Sequence, residues 1–68
     1  MDISIGMKIR ELRSEVNMSQ EELAKACNVK QSCVSKWERG TTFPPVDIIV
    51  TLAKLFKVTS DYLLGLEN

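Results

Sequence analysis

A chain of 68 residues, 44% hydrophobic and 26% charged, is enough for one small folded domain that buries about 60% of the surface its unfolded form exposes, and this composition excludes a disordered tail. Nine basic residues balance nine acidic ones, so a polycationic protein is excluded and any contact with a polyanion must come from a local basic face. No apolar run approaches the roughly 20 residues of a membrane span, and Met1-Asp2-Ile3-Ser4 lacks the layout of a signal peptide, so the chain reads as cytoplasmic with no membrane association.

The first predicted helix spans residues 5–16. Ile5, Ile9, Leu12 and Val16 recur at spacings of four, three and four, with Lys8, Arg10, Glu11, Arg13 and Glu15 between them and Ser4 placed to cap the start. Lys8 and Arg10 alternate with acids, which suits a solvated charged face as well as it suits contact with a nucleic-acid backbone. Asn17 follows where a helix end takes left-handed geometry. Ser19-Gln20-Glu21-Glu22 is a capping box, Met18 and Leu23 complete a hydrophobic staple, and helix 2 runs over 20–27 on Leu23, Ala24 and Cys27 before Asn28 repeats the left-handed stop.

Helix 3 is predicted over 31–39. It buries Val34 and Trp37, turns Gln31, Ser32, Ser35, Lys36 and Arg39 outward, and ends at Gly40. From Asn28 to Gly40 the charges are Lys30, Lys36 and Arg39 against Glu38 alone, which is a local basic face. Residues 41–45 form a turn ending in Pro44-Pro45, and helix 4 follows over 46–56. Its core face is Ile49, Leu52, Ala53 and Phe56, which leaves Val46, Ile48, Val50 and Leu55 as spare apolar surface and suggests a partner. Thr59 caps a last helix over 60–64 that carries Tyr62 and Leu63 and closes at Gly65.

The two cysteines, six residues apart in a chain without histidine, form neither a CxxC redox pair nor half of a zinc site; both read as reduced thiols, Cys27 in the core and Cys33 toward solvent. No metal, cofactor or small-molecule ligand is expected. With no histidine and no glycine-rich phosphate loop, nothing in the chain forms a catalytic constellation, so it reads as a binding protein and not an enzyme.

Counted from Gln20, Ala24 comes four residues later, Asn28 eight, Val34 fourteen and Trp37 seventeen. A small residue allows two helices to cross, a turn residue makes the bend, and two apolar residues pin the following helix to the core so that its opposite face can enter a groove. The runs Ile9-Arg10-Glu11-Leu12-Arg13, Met18-Ser19-Gln20-Glu21-Glu22-Leu23-Ala24, Val34-Ser35-Lys36-Trp37-Glu38-Arg39-Gly40 and Asp61-Tyr62-Leu63-Leu64-Gly65 stand in this frame. Through them the chain resembles the Cro and phage-repressor-like (Xre) helix-turn-helix proteins over nearly everything from Ile5 to Gly65.

The resemblance implies one all-α, five-helix, lambda-repressor-like domain over 1–68, with the helix-turn-helix formed by helices 2 and 3. It implies a sequence-specific regulator of transcription, a repressor, whose partner is double-stranded DNA. Gln31, Ser32 and Lys36 would read base edges in the major groove; Gln20, Lys30, Ser35, Arg39, Thr41 and Thr42 would hold phosphates. Arg13 and Glu38 would form a partly exposed ion pair that fixes helix 3 to helix 1, worth about 0–1 kcal/mol. A homodimer joined through the helix 4 and helix 5 region would set two recognition helices one DNA turn apart.

The sequence departs from that pattern at four places. Asn17 and Asn28 replace glycines, Lys30 stands where Ser or Thr would cap helix 3, and Cys33 replaces Ser or Thr. The zero net charge keeps open a different reading, an antitoxin or adaptor-type protein-interaction module on the same fold.

Overall fold

The computed structural model describes residues 5–67, and among them every regular element is helical: α1 (Ile5–Glu15), α2 (Gln20–Cys27), α3 (Gln31–Arg39), α4 (Val46–Phe56) and α5 (Ser60–Leu64). No helix is long and apolar enough to cross a membrane. The cap expected of Ser4 lies outside the described residues.

Helix α1 contributes Ile5 and Ile9 to the core and leaves Leu12 half-buried. It ends one residue earlier than its apolar spacing suggests. Asn17 takes the left-handed conformation at φ 56°, its amide donates to the Ser14 carbonyl at 3.0 Å, and the Met18 amide donates to the Arg13 carbonyl at 3.0 Å. That closure carries the chain away from the core before Val16 can reach it, so Val16, expected on the buried face, is 57% exposed.

The capping box of α2 is complete, with Glu22 N donating to Ser19 Oγ at 3.0 Å and Ser19 N donating to Glu22 Oε1 at 2.8 Å. Met18 packs against the edge of the core. At its other end Asn28 adopts φ 59°, and only Val29 and Lys30 remain before α3 begins. Helix α3 has Lys30 at its N-cap with no side-chain cap bond and Gly40 at its left-handed end, φ 78°.

Val34 and Trp37 are buried beside Leu23 and Ala24 of α2. Helix α4 packs on α5 and also on α2, so it covers a wider arc than one stripe. Ile48, expected as spare surface, is therefore buried with Ile49, Leu52 and Ala53, while Phe56 is only half-buried. Val46, Val50 and Leu55 stay exposed. Pro44 is fully buried at the turn into α4. Lys8 Nζ sits 4.3 Å from the Tyr62 ring centroid and ties α1 to α5.

Two backbone features have no precedent in the hydrophobic pattern. A Cβ on Gly6 would lie 2.2 Å from the Trp37 carbonyl oxygen and 2.9 Å from Glu38 Cα, so α1 meets the end of α3 backbone against backbone. Lys57 closes α4 in the left-handed region at φ 59°, where a side chain is strained. Gly6→Ala should accordingly lower stability by about 1–3 kcal/mol, since the obstacle is main chain and cannot rotate away. Lys57→Gly should raise it by about 0.5–1 kcal/mol. Denaturant midpoints at constant slope check both, and equal midpoints for the three proteins would contradict the geometry.

Candidate nucleic-acid interface

The end of α1, the start of α2 and the end of α3 converge on one carboxylate. Glu38 has a fully buried side chain, 0% exposed, and a bare carboxylate there would be costly. Arg13 of α1 donates Nε to Glu38 Oε2 at 2.7 Å and Nη2 to Oε1 at 3.0 Å, a bidentate fork, and its Nη1 donates to the Met18 carbonyl at 2.9 Å. Gln20 adds a third donor, Nε2 to Glu38 Oε1 at 2.9 Å. The expected Arg13–Glu38 pair is therefore formed, and it is more buried than the sequence suggests, with the carboxylate inside and Arg13 17% exposed.

Glu38 also decides which way the amide of Gln20 faces. An ionised carboxylate only accepts, so the Gln20 NH₂ points at it and the Gln20 Oε1 is turned toward α3, where it accepts from Gln31 Nε2 at 3.4 Å. Gln31 is exposed and keeps its own carbonyl and a second N–H for an outside partner. Ser32 and Lys36 are exposed one helical turn apart on α3, and Lys30 is exposed at its N-cap.

Ser35 is half-buried, and its carbonyl accepts from Arg39 Nε at 3.3 Å. Past Gly40 the Thr41 amide donates to the Lys36 carbonyl at 2.9 Å, which folds the chain back against α3 and leaves Thr41 and Thr42 exposed beside Arg39. The structure thus joins Gln20 directly to the Arg13–Glu38 pair and Gln31 to it only through Gln20, and groups Arg39, Thr41 and Thr42 at the other end of α3. Cys33, expected toward solvent, is half-buried against the core because its i+1 neighbour Val34 faces fully inward.

Sequence reasoning missed the bond from Gln20 to Glu38, and while it weighed Arg10 as a solvated charge or a nucleic-acid backbone contact, it missed the approach of Arg10 Nε to 3.6 Å from Glu38 Oε1. The only available signal for Arg10 was its spacing of three from Arg13, which puts both on one face of α1.

Burial pushes the Glu38 carboxyl up, but the bonds from Arg13 and Gln20 and the charges of Arg13 and Arg10 outweigh it and hold the group below its ordinary value. The Arg13 guanidinium is correspondingly raised, chiefly by its bond to Glu38. Burial alone raises the Cys27 thiol, which keeps it protonated and unreactive.

A carboxyl whose folded pKa is depressed contributes stability that is complete above its unfolded value, about 4.3, and is lost as pH falls through the lower folded value. Glu38→Gln should lower stability by about 3 kcal/mol near neutral pH, because it leaves Arg13 without its counter-charge, and should flatten the decline below pH 4. Unfolding curves from pH 2 to 7 test this, and parallel curves for the two proteins would contradict it.

Residues 9–63 match the helix-turn-helix family. The transcriptional activator BcrR of Enterococcus faecalis is 38% identical over 61 residues, which cover 90% of this chain and 30% of that protein. The transcriptional regulator ImmR of Bacillus subtilis (strain 168) is 33% identical over 66 residues, 97% of this chain and 52% of that one, so the chain spans about a third to a half of these relatives. Among solved structures, the c2 repressor of Salmonella phage P22 in complex with a synthetic operator superposes with a TM-score of 0.89 at 30% identity, over 97% of this chain and all of that one. By sequence and by fold, the chain belongs to the helix-turn-helix family, with α2 and α3 as its motif helices.

Proposed function

We propose that this domain is a sequence-specific regulator of transcription, acting as a repressor by occupying an operator in double-stranded DNA in the cytoplasm. The observation that carries the proposal is the exposed glutamine at the start of α3, bonded to Gln20, which is itself held by the buried Glu38. Such a side chain meets a groove already oriented, so little rotamer entropy is lost on contact. The phage repressor that this chain resembles is seen with operator DNA, and ImmR and BcrR are named as regulators of transcription.

Gln31 offers one donor and one acceptor, the pair an adenine edge requires, while Lys36 suits guanine O6 and N7 and Ser32 suits either; each good pair discriminates by about 1–3 kcal/mol. Gln20 and Lys30 on one side, and Ser35, Arg39, Thr41 and Thr42 on the other, hold phosphates and set the docking of α3. Val46, Val50, Leu55 and Leu64 leave apolar surface on α4 and α5, which a second copy covers in a two-fold dimer with recognition helices about 34–36 Å apart.

Selection from a randomised duplex library should enrich an inverted repeat with half-sites one turn apart. Gln31→Ala should then weaken the selected duplex roughly 5- to 150-fold with little effect on a scrambled one. Equal losses on both duplexes, or no enrichment, would contradict the reading and favour a protein-interaction module.

A further inference from the structure

Two guanidinium groups approach the single carboxylate of Glu38, and only Arg13 is hydrogen-bonded to it, Arg10 acting through its charge alone. Arg13 occupies both oxygens, and Gln20 donates to Oε1 as well. Arg10 Nε stands 3.6 Å from Oε1, beyond hydrogen-bond reach, with 58% of its side chain exposed. No hydrogen bond within the described residues engages its guanidinium. The cluster of Arg10, Arg13 and Glu38 therefore carries a net charge of plus one, with the excess on Arg10, the more exposed of the two arginines. As a stabilising ion pair Arg10 is worth only about 0–1 kcal/mol at this exposure.

Its position is more informative. Arg10 and Gln20 approach the same carboxylate oxygen from α1 and from the first residue of α2, so the exposed guanidinium lies on the side of the cluster where the positive end of α2 begins. The nearby acid Glu22 is folded back onto the Ser19 amide, and Glu21 lies about 100° round the helix from Gln20. A planar fork with free N–H groups is the donor best matched to a phosphate.

We propose that Arg10 is a DNA-backbone contact, binding the phosphate that Gln20 binds or its neighbour, and that it supplies charge which the neutral net composition conceals. This rests on the DNA-binding reading above. The Arg10–Glu38 approach then serves to aim the guanidinium while Arg13 and Gln20 satisfy the carboxylate.

The test is the salt dependence of binding by Arg10→Gln and Arg10→Lys, measured by fluorescence anisotropy on the library-selected duplex and on a scrambled duplex of equal length. For Arg10→Gln the slope of log K against log salt should become shallower by about 0.9 per protomer, with affinity reduced by the same factor on both duplexes and a melting temperature lowered by no more than a few degrees. Arg10→Lys should keep the slope. An unchanged slope and affinity for Arg10→Gln, with the unsubstituted protein binding normally, would overturn the proposal alone. A changed preference between the duplexes at constant slope would also overturn it, since Arg10 would then act only by positioning Gln20. Failure of the unsubstituted protein to bind either duplex would overturn both the proposal and the function it rests on.

Discussion

The orientation of α3 depends on a charged group with no access to water. Glu38 is buried at the end of the helix, and removal from solvent raises the energy of its ionised form unless donors replace the lost hydration. Those donors come from two other helices, Arg13 of α1 and Gln20 of α2. Satisfying one carboxylate therefore fixes three helices relative to each other, and Arg13 also takes the Met18 carbonyl in the turn between α1 and α2. Gly6 makes the arrangement possible, because any side chain there would hold α1 off the backbone at Trp37 and Glu38.

The same carboxylate links stability to the surface proposed to recognise DNA. It sets the direction of the Gln20 amide, and through it the position of Gln31 at the exposed start of α3. The two ends of α3 thus have different supports. Its start is held by side chains reaching from a buried charge, and its end by the chain reversal at Gly40 and the bond from the Thr41 amide to the Lys36 carbonyl. Lys30, without a side-chain cap bond, leaves the first amides of α3 open to an anion.

Much of this could be read in the sequence, because the signals are local. The Ser19–Glu22 box, the left-handed Asn17 and Asn28, and the spacing of Val34 and Trp37 each act within a few residues, and each is formed as its chemistry suggests. What escaped depends on approach between distant segments or on a choice that propensity does not favour. Val16 continues the apolar stripe but falls beyond the helix end, and Ile48 is buried because α4 meets two neighbours. Lys57 occupies a conformation better suited to glycine. The Arg13–Glu38 pair was implied by resemblance, but its burial, the third donor from Gln20 and the second arginine are tertiary facts with no local mark.

The central claim is that a DNA duplex docks on the surface organised by Glu38. It is tested most directly by following the backbone amide resonances of the ¹⁵N-labelled protein while a library-selected duplex is added. The account predicts that the largest shifts fall on Arg10, Gln20 and residues 30–36 and 39–42. Shifts centred on Val46, Val50 and Leu55 with α3 unaffected, or no shifts at saturating duplex, would contradict it.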